Sequence, residues 1–310
     1  MPEQPQYVGL DISAARLDYC VDENEEGNFP NDEGGRAGLI ALLQRRGKVR
    51  VIGEASGGYE KLIVAQLLAA GIETCVVMPG RVRAFAYAEG LLAKTDRIDA
   101  RLLRRYGQKI AVRLAEPTDA AVATLRELLE HRRHLCEQLV EVEARQRLAG
   151  RTLAQLLAKQ RTFLQHEITR VERMIRQHID QDPDLHDKSE RLQQMQGVGP
   201  VLAATLLAYV PELGKLDDAK ISALVGVAPY PKDSGTRFGP RHVRGGRWQV
   251  RNVLYMAAVC AARMNPVLSP YYERLKARGK PPMVCLVAVM RKMLCVLNRL
   301  LQKPDFILAN

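Results

Sequence analysis

Two strand-like segments open the chain, YVGLDIS and RLDYCV, joined by a short link and rich in the β-branched, aromatic and apolar residues that strands favour. NFPNDEGG follows and reads as a turn. From Ala37 to Arg46 the apolar positions Leu39, Ile40, Leu42 and Leu43 have helical spacing, and the pattern stops at Gly47. VRVIGEAS predicts a strand, Tyr59 to Ala70 a helix stopped by Gly71, ETCVVMP another strand, and Arg81 through Gly107 helix. Strands followed by alternating helix and strand predict an α/β unit with a mixed sheet.

Thr118 to Gln181 contains no proline, and only Gly150 interrupts it. Apolar residues recur at Leu125, Leu128, Leu135, Leu139 and Val142, then at Leu153, Leu157, Leu164, Ile168, Val171 and Ile175, with mixed charges between. Spacing of three and four predicts a long amphipathic helical hairpin or coiled coil, with Gly150 at its turn or at a kink. Pro117 and QDPD bracket it. The remainder is mainly helical apart from the glycine-rich PYPKDSGTRFGPRHVRGGR. The fold class expected is α/β plus all-α, with domains at 1–115, 116–185 and 186–310.

Charge changes the picture. The 46 Lys and Arg outnumber the 35 Asp and Glu, giving +11, a surplus that points to nucleic acid or another anionic surface. Six scattered cysteines lack a C-x-x-C pair and read as reduced core thiols. MPEQPQYVGLD lacks the regions of a signal peptide, and Arg291, Lys292 and Arg299 interrupt the most apolar late segment. A cytoplasmic protein with no membrane partner is expected.

The carboxylates give the chemistry. Asp11 ends one predicted strand and Glu54 another, and strand ends on one edge of an α/β sheet converge on a ligand. Asp96 and Asp99 are an i, i+3 pair and share one helix face. Each alone reads as a turn residue, a cap or half of a surface ion pair worth about 0.5 kcal/mol. Together, in the order strand-end Asp, strand-end Glu, helical D-x-x-D, they point to a divalent cation. Oxygen-only ligands suit Mg²⁺, with Mn²⁺ as the alternative, rather than zinc. Two such ions can clamp the attacking and leaving oxygens of a phosphodiester. The order resembles the RuvC-like branch of the RNase H fold over residues 7–110. Lys94, Arg97 and Arg101 stand among these acids and are expected beside phosphates.

Farther on, Gly197 and Gly199 open an apolar helix. They read equally well as the hairpin of a helix-hairpin-helix DNA-binding module and as a close-packed turn. Ser234 lies in S-G-T, followed by Arg237, Arg241, Arg244, Arg247 and Arg251, which suit phosphate contact. A serine in such a loop is usually structural, and becomes a nucleophile only when its proton is removed and the developing charge is stabilised. Arg241, His242, Arg244 and a downstream Tyr255, Tyr271 or Tyr272 do not match a tyrosine recombinase, because the histidine adjoins its arginines.

YVGLDIS, GEASGGYE, KTDRIDA, the helical pair, GVGP and LVGVAPYPKDSG…RHVRGGR…VRNVLYMAA together resemble the insertion sequence 110 family, the DEDD-type, bridge-RNA-guided transposases. The resemblance runs nearly end to end. It implies a RuvC-like domain holding metal through Asp11, Glu54, Asp96 and Asp99, a coiled coil, and a transposase domain with Ser234 as catalytic serine. It further implies a covalent phosphoserine, a structured noncoding RNA that pairs with target and donor DNA, and a homo-oligomer, dimer or tetramer, with composite active sites. Alternatives are a RuvC-like structure-specific endonuclease acting by metal-dependent hydrolysis, a site-specific invertase of the same family, and a noncatalytic scaffold.

Overall fold

The computed structural model describes residues 5–91, 96–231, 239, 241–303, 305, 306 and 308, without the side chains of 96–98. Lys94, Ser234 and Arg237 lie outside the described residues, as do the side chains of Asp96 and Arg97. The chain forms two compact units, Met1–Thr118 and Asp119–Asn310.

The first unit is built on strands β1 (Gln6–Ile12), β2 (Arg16–Cys20), β3 (Glu26–Pro30), β4 (Val49–Glu54) and β5 (Glu73–Val77). They form one sheet in the order β3-β2-β1-β4-β5. The pairs β1–β2 and β2–β3 are antiparallel, while β1–β4 and β4–β5 are parallel, so the mixed sheet is as predicted. Helices α1 (Glu33–Gln44), α2 (Glu60–Ala69), α3 (Pro79–Ala88) and α4 (Asp96–Lys109) cover it. Alternation along β1 and β4 decides the two faces. Val8, Leu10, Ile12, Val49 and Val51 bury against Leu39 and Leu43 of α1 and Ile63 and Leu67 of α2. On the other face, Ile52, Cys75 and Val77 bury against Val82 of α3 and Leu102, Leu103 and Tyr106 of α4. Each fully buried Leu or Ile contributes about 1.5–3 kcal/mol.

Two expectations need correction. NFPNDEGG is not all turn, because its first residues belong to β3, an edge strand paired with β2. Its glycine, asparagine and proline are poor strand formers, and the pairing is tolerated because an edge strand leaves one side unpaired. Asp32 then caps α1, accepting from Gly35 N at 2.8 Å. The helical run from Arg81 to Gly107 is interrupted after α3, where Gly90 takes φ 74° and ends the helix as a C-terminal glycine does.

The second unit begins with α5 (Ala120–Leu148) and α6 (Arg151–Gln181), which fold back on each other around Ala149–Gly150 as a helical hairpin. Leu125, Leu129, Leu135 and Val142 share a core with Leu157, Leu164, Val171, Ile175 and Ile179. Arg132 Nε donates to Glu172 Oε1 across the pair at 2.8 Å. Helices α7 (Pro183–Gln193), α8 (Pro200–Tyr209), α9 (Asp218–Val225), α10 (Trp248–Met264), α11 (Leu268–Ala277) and α12 (Pro282–Gln302) follow. Their apolar residues, through Leu300, belong to the same hydrophobic cluster as the hairpin. A small ribbon, β6 (Pro229–Tyr230) with β7 (His242–Val243), flanks the glycine-rich segment. Among the described residues no helix is long and apolar enough to cross a membrane.

Candidate functional site

Asp11 sits one residue before the end of β1, and Glu54 is the last residue of β4. The two strands are parallel with Leu10 opposite Gly53, so the next step along both sets Asp11 beside Glu54. Because Leu10 and Val51 face α1 and α2, Asp11 and Glu54 lie on the face that α4 covers. Helix α4 lies very close to this face. A Cβ on Gly9 would stand 1.9 Å from the Ala100 carbonyl oxygen, and one on Gly107 would stand 2.9 Å from Tyr7 Cδ1. The helix therefore runs opposite to β1, with Gly107 over Tyr7 and Ala100 over Gly9. Its first turn, which carries Asp96 and Asp99, continues toward the end of β1 that carries Asp11. Asp99 is half-buried there.

Strand geometry and helix direction thus bring three elements, with all four predicted acids on them, to one end of one sheet face. Among the described residues, no three His, Cys, Asp or Glu side chains close up as a metal site, and the Asp96 side chain lies outside that set. The donor chemistry fits a hard divalent cation, since the acids offer oxygen alone.

Two supporting residues escaped the sequence reading. Asp18 of β2 is directly opposite Asp11 in the ladder and only 7% exposed. Carboxylates placed opposite each other repel. Arg16 offsets this by donating to Asp18 from Nε at 3.3 Å and from Nη2 at 3.1 Å. The sign in the sequence was an acid at an inward position of RLDYC. The second is Glu60, whose carboxylate closes the turn after Glu54. It accepts from Ser56 N at 3.0 Å, Ser56 Oγ at 3.1 Å and Gly58 N at 2.8 Å. Burial works against its charge, but hydrogen bonds from its own N–H, Gly58 and Ser56 prevail and hold its pKa below the ordinary carboxylate value.

A depressed carboxylate pKa supplies stability that is present above the unfolded pKa and fades as pH falls through the folded one. Glu60→Gln is therefore expected to cost about 1–2 kcal/mol at neutral pH. The gap to wild type should close in urea melts below the carboxylate range; a gap independent of pH would show that the charge is not what holds the turn.

The described residues around the glycine-rich segment form a tight root. Gly226 caps α9 at φ 83°, and Gly245 and Gly246 have φ 62° and 78°. A Cβ on Gly226 would lie 2.2 Å from Gly245 O, and one on Gly246 would lie 2.3 Å from Gly226 N, so backbone touches backbone. Arg247 N donates to Leu224 O at 3.2 Å. Arg247 also grips the buried Glu212 through two hydrogen bonds, of 2.5 and 2.8 Å. Arg251 Nη1 donates to Gly245 O at 2.9 Å. Nearby, Arg126 Nε donates to Ala208 O at 2.5 Å. Burial and the charge of Arg247 lower its pKa. Burial, with help from Glu130, pushes the Tyr209 phenol up to about 12.

The predicted phosphate contacts therefore divide. Arg101 is paired with Glu26 at 2.6 Å, while Arg247 and Arg251 hold the root. Arg241 and Arg244 are exposed and make no ion pair or hydrogen bond among the described residues. Gly197 fits the close-packed reading: it has φ 101°, and its Cβ would lie 3.0 Å from Ala261 Cβ. Gly199, at the start of α8, has open space around it.

Comparison with known proteins finds two matching transposase families. Residues 8–149 match a family described as Transposase, whose domain is of the DEDD type, and residues 189–273 match the Transposase IS116/IS110/IS902 family. The chain is 27% identical over 301 residues, 94% of each chain, to the "Pilin gene-inverting protein" of Moraxella lacunata, and equally to that of Moraxella bovis. It is 32% identical over 125 residues to the "Insertion element IS110 uncharacterized 43.6 kDa protein" of Streptomyces coelicolor, covering 40% of this chain and 31% of that one. A DEDD domain on a mixed α/β sheet, followed by a helical transposase domain, defines a DNA recombinase of the transposase class. The chain belongs to the IS110 family of transposases. Membership implies DNA substrates and a divalent metal, commonly Mg²⁺, and suggests an RNase H-like fold for the first unit.

Proposed function

We propose that this enzyme cleaves and exchanges DNA strands through a covalent phosphoserine at Ser234. In this reading a RuvC-like domain holds Mg²⁺ through Asp11, Glu54, Asp96 and Asp99, and the ion supplies charge stabilisation at the reacting phosphate. The observation that supports it is the placement of Asp11 and Glu54 side by side on the sheet face toward which the first turn of α4 points. At the serine, an Oγ–phosphorus bond replaces one P–O ester bond of the strand. The proton lost by serine balances the one gained by the departing hydroxyl, and attack by another strand's hydroxyl reverses the exchange. Arg241 and Arg244 position phosphates. The RNA that guides target and donor choice and assembly as a homo-oligomer rest on the family resemblance, and the supercoiling of α5 and α6 as a coiled coil rests on it and on their apolar spacing of three and four.

The test is to trap the covalent DNA adduct, map it, and sequence co-purifying RNA. The adduct is expected on Ser234 and absent from Ser234→Ala, which should exchange no strands. Normal cleavage by that variant would instead favour a hydrolytic nuclease that uses the carboxylates alone. Likeness to the pilin gene-inverting proteins along nearly the whole chain supports a second reading, site-specific inversion. The chemistry is shared, and a substrate with two inverted sites distinguishes them by its product.

A further inference from the structure

Beside the root of the glycine-rich segment stands an aromatic side chain to which strand exchange as described assigns no role. Trp248, the single tryptophan of the chain, is the first residue of α10 and is 44% exposed. The guanidinium of Arg133, on α5, lies over its ring, 5.3 Å from the centroid. Arg133 is itself paired with Glu137 at 2.6 Å, so the indole is backed by an ion-paired guanidinium. Tyr230 is 42% exposed and stands opposite His242 in the ribbon. Arg241 and Arg244 flank His242 and Val243, exposed and without ion pair or hydrogen bond among the described residues.

We propose that Trp248 is a stacking platform for an unpaired DNA base, with the neighbouring phosphates held by Arg241 and Arg244. The inference rests on the strand-exchange reading, because exchange separates strands and frees bases from their stack. An indole that keeps 44% of its surface in water forgoes part of the burial that a tryptophan ordinarily gains. A half-exposed ring backed by a guanidinium, on a chain segment that also carries the exposed Arg241 and Arg244, has the chemistry of single-strand binding: stacking for the base, charge for the backbone. Duplex DNA offers that ring no base face, since its bases are already stacked on one another. Arg247 and Arg251 are occupied in building the root, which leaves Arg241 and Arg244 as its outward charges.

As the only tryptophan, Trp248 reports on itself. Titrating the full-length protein with a short single-stranded DNA is expected to quench indole fluorescence saturably, whereas a duplex of the same sequence should bind with little quenching. Trp248→Ala should weaken single-strand affinity about 5- to 100-fold, as the loss of one stacked base does. Duplex affinity should stay within about twofold, and Trp248→Phe should retain most single-strand binding. Absent quenching, equal quenching by duplex, stronger quenching by single-stranded RNA, or unchanged single-strand affinity in Trp248→Ala would each overturn the proposal. The wild-type titration and Trp248→Phe decide the matter even where the alanine variant melts early. A Trp248→Ala protein that forms the Ser234 adduct and binds single strands normally refutes the platform alone. A wild-type protein that forms no adduct refutes the covalent reading instead.

Discussion

Replacing Asp11 with asparagine is expected to reduce DNA strand cleavage by about 10³-fold or more, some 4 kcal/mol of transition-state stabilisation. Asparagine keeps the shape and gives up the charge, so the sheet should survive. β1 pairs with β2 and β4 through its backbone, and the core residues Val8, Leu10 and Ile12 are untouched. The melting temperature should stay near wild type in the absence of added metal. Adding Mg²⁺ should raise it for the wild type and not for the variant, as follows when a ligand binds only the folded state and its site is impaired. Cleavage assays beside thermal melts with and without Mg²⁺ check both halves. A variant that melts early regardless of metal would assign Asp11 a structural role, and one that cleaves normally would remove it from the site.

Gly9→Ala should be the most damaging small substitution in the first unit. The added methyl meets the Ala100 carbonyl oxygen at 1.9 Å and the Arg104 nitrogen at 2.6 Å, both backbone atoms that no rotamer change can move. Helix α4 must lift from the sheet, which disturbs the packing of Leu102, Leu103 and Tyr106 and carries Asp96 and Asp99 away from Asp11. A cost of about 3 kcal/mol or more in urea unfolding is expected, at the upper end for overpacking, together with loss of cleavage. Gly53→Ala is the control. The nearest atom to its Cβ would be the tip of Ile12, at 3.4 Å, with the Leu10 and Cys75 carbonyl oxygens at ordinary contact distances of 3.8 and 4.0 Å, so it should cost less than about 1 kcal/mol. Similar behaviour of the two variants would mean that α4 is not seated as described.

The contrast also shows what was legible in the sequence. β1, β4 and the helix bearing D-x-x-D announced themselves through short apolar runs and i, i+3 spacing, and those three elements carry the candidate metal ligands. β3 was hidden because its strand character comes from pairing at the sheet edge rather than from Glu26, Gly27, Asn28 and Pro30 themselves. Asp18 was hidden because its partner Asp11 is fixed by the ladder register, which a linear pattern does not carry. The arginines were counted correctly and assigned incompletely. Arg101 and Arg247 find Glu26 and Glu212 through tertiary contacts across 75 and 35 positions of sequence, far beyond any local rule. The glycines of RGGR read as loop composition, whereas their cause is the backbone contact with Gly226.

That contact has a consequence for how such an enzyme can diversify. Gly226 is clasped to Gly245 and Gly246, so the C-terminal end of α9 and the approach to α10 are held together by backbone alone. A contact between glycine backbones makes no demand on any side chain. Side chains can therefore vary between these glycines, apart from the buried Val227 and the proposed Ser234, Arg241 and Arg244, while the clasp itself stays unchanged.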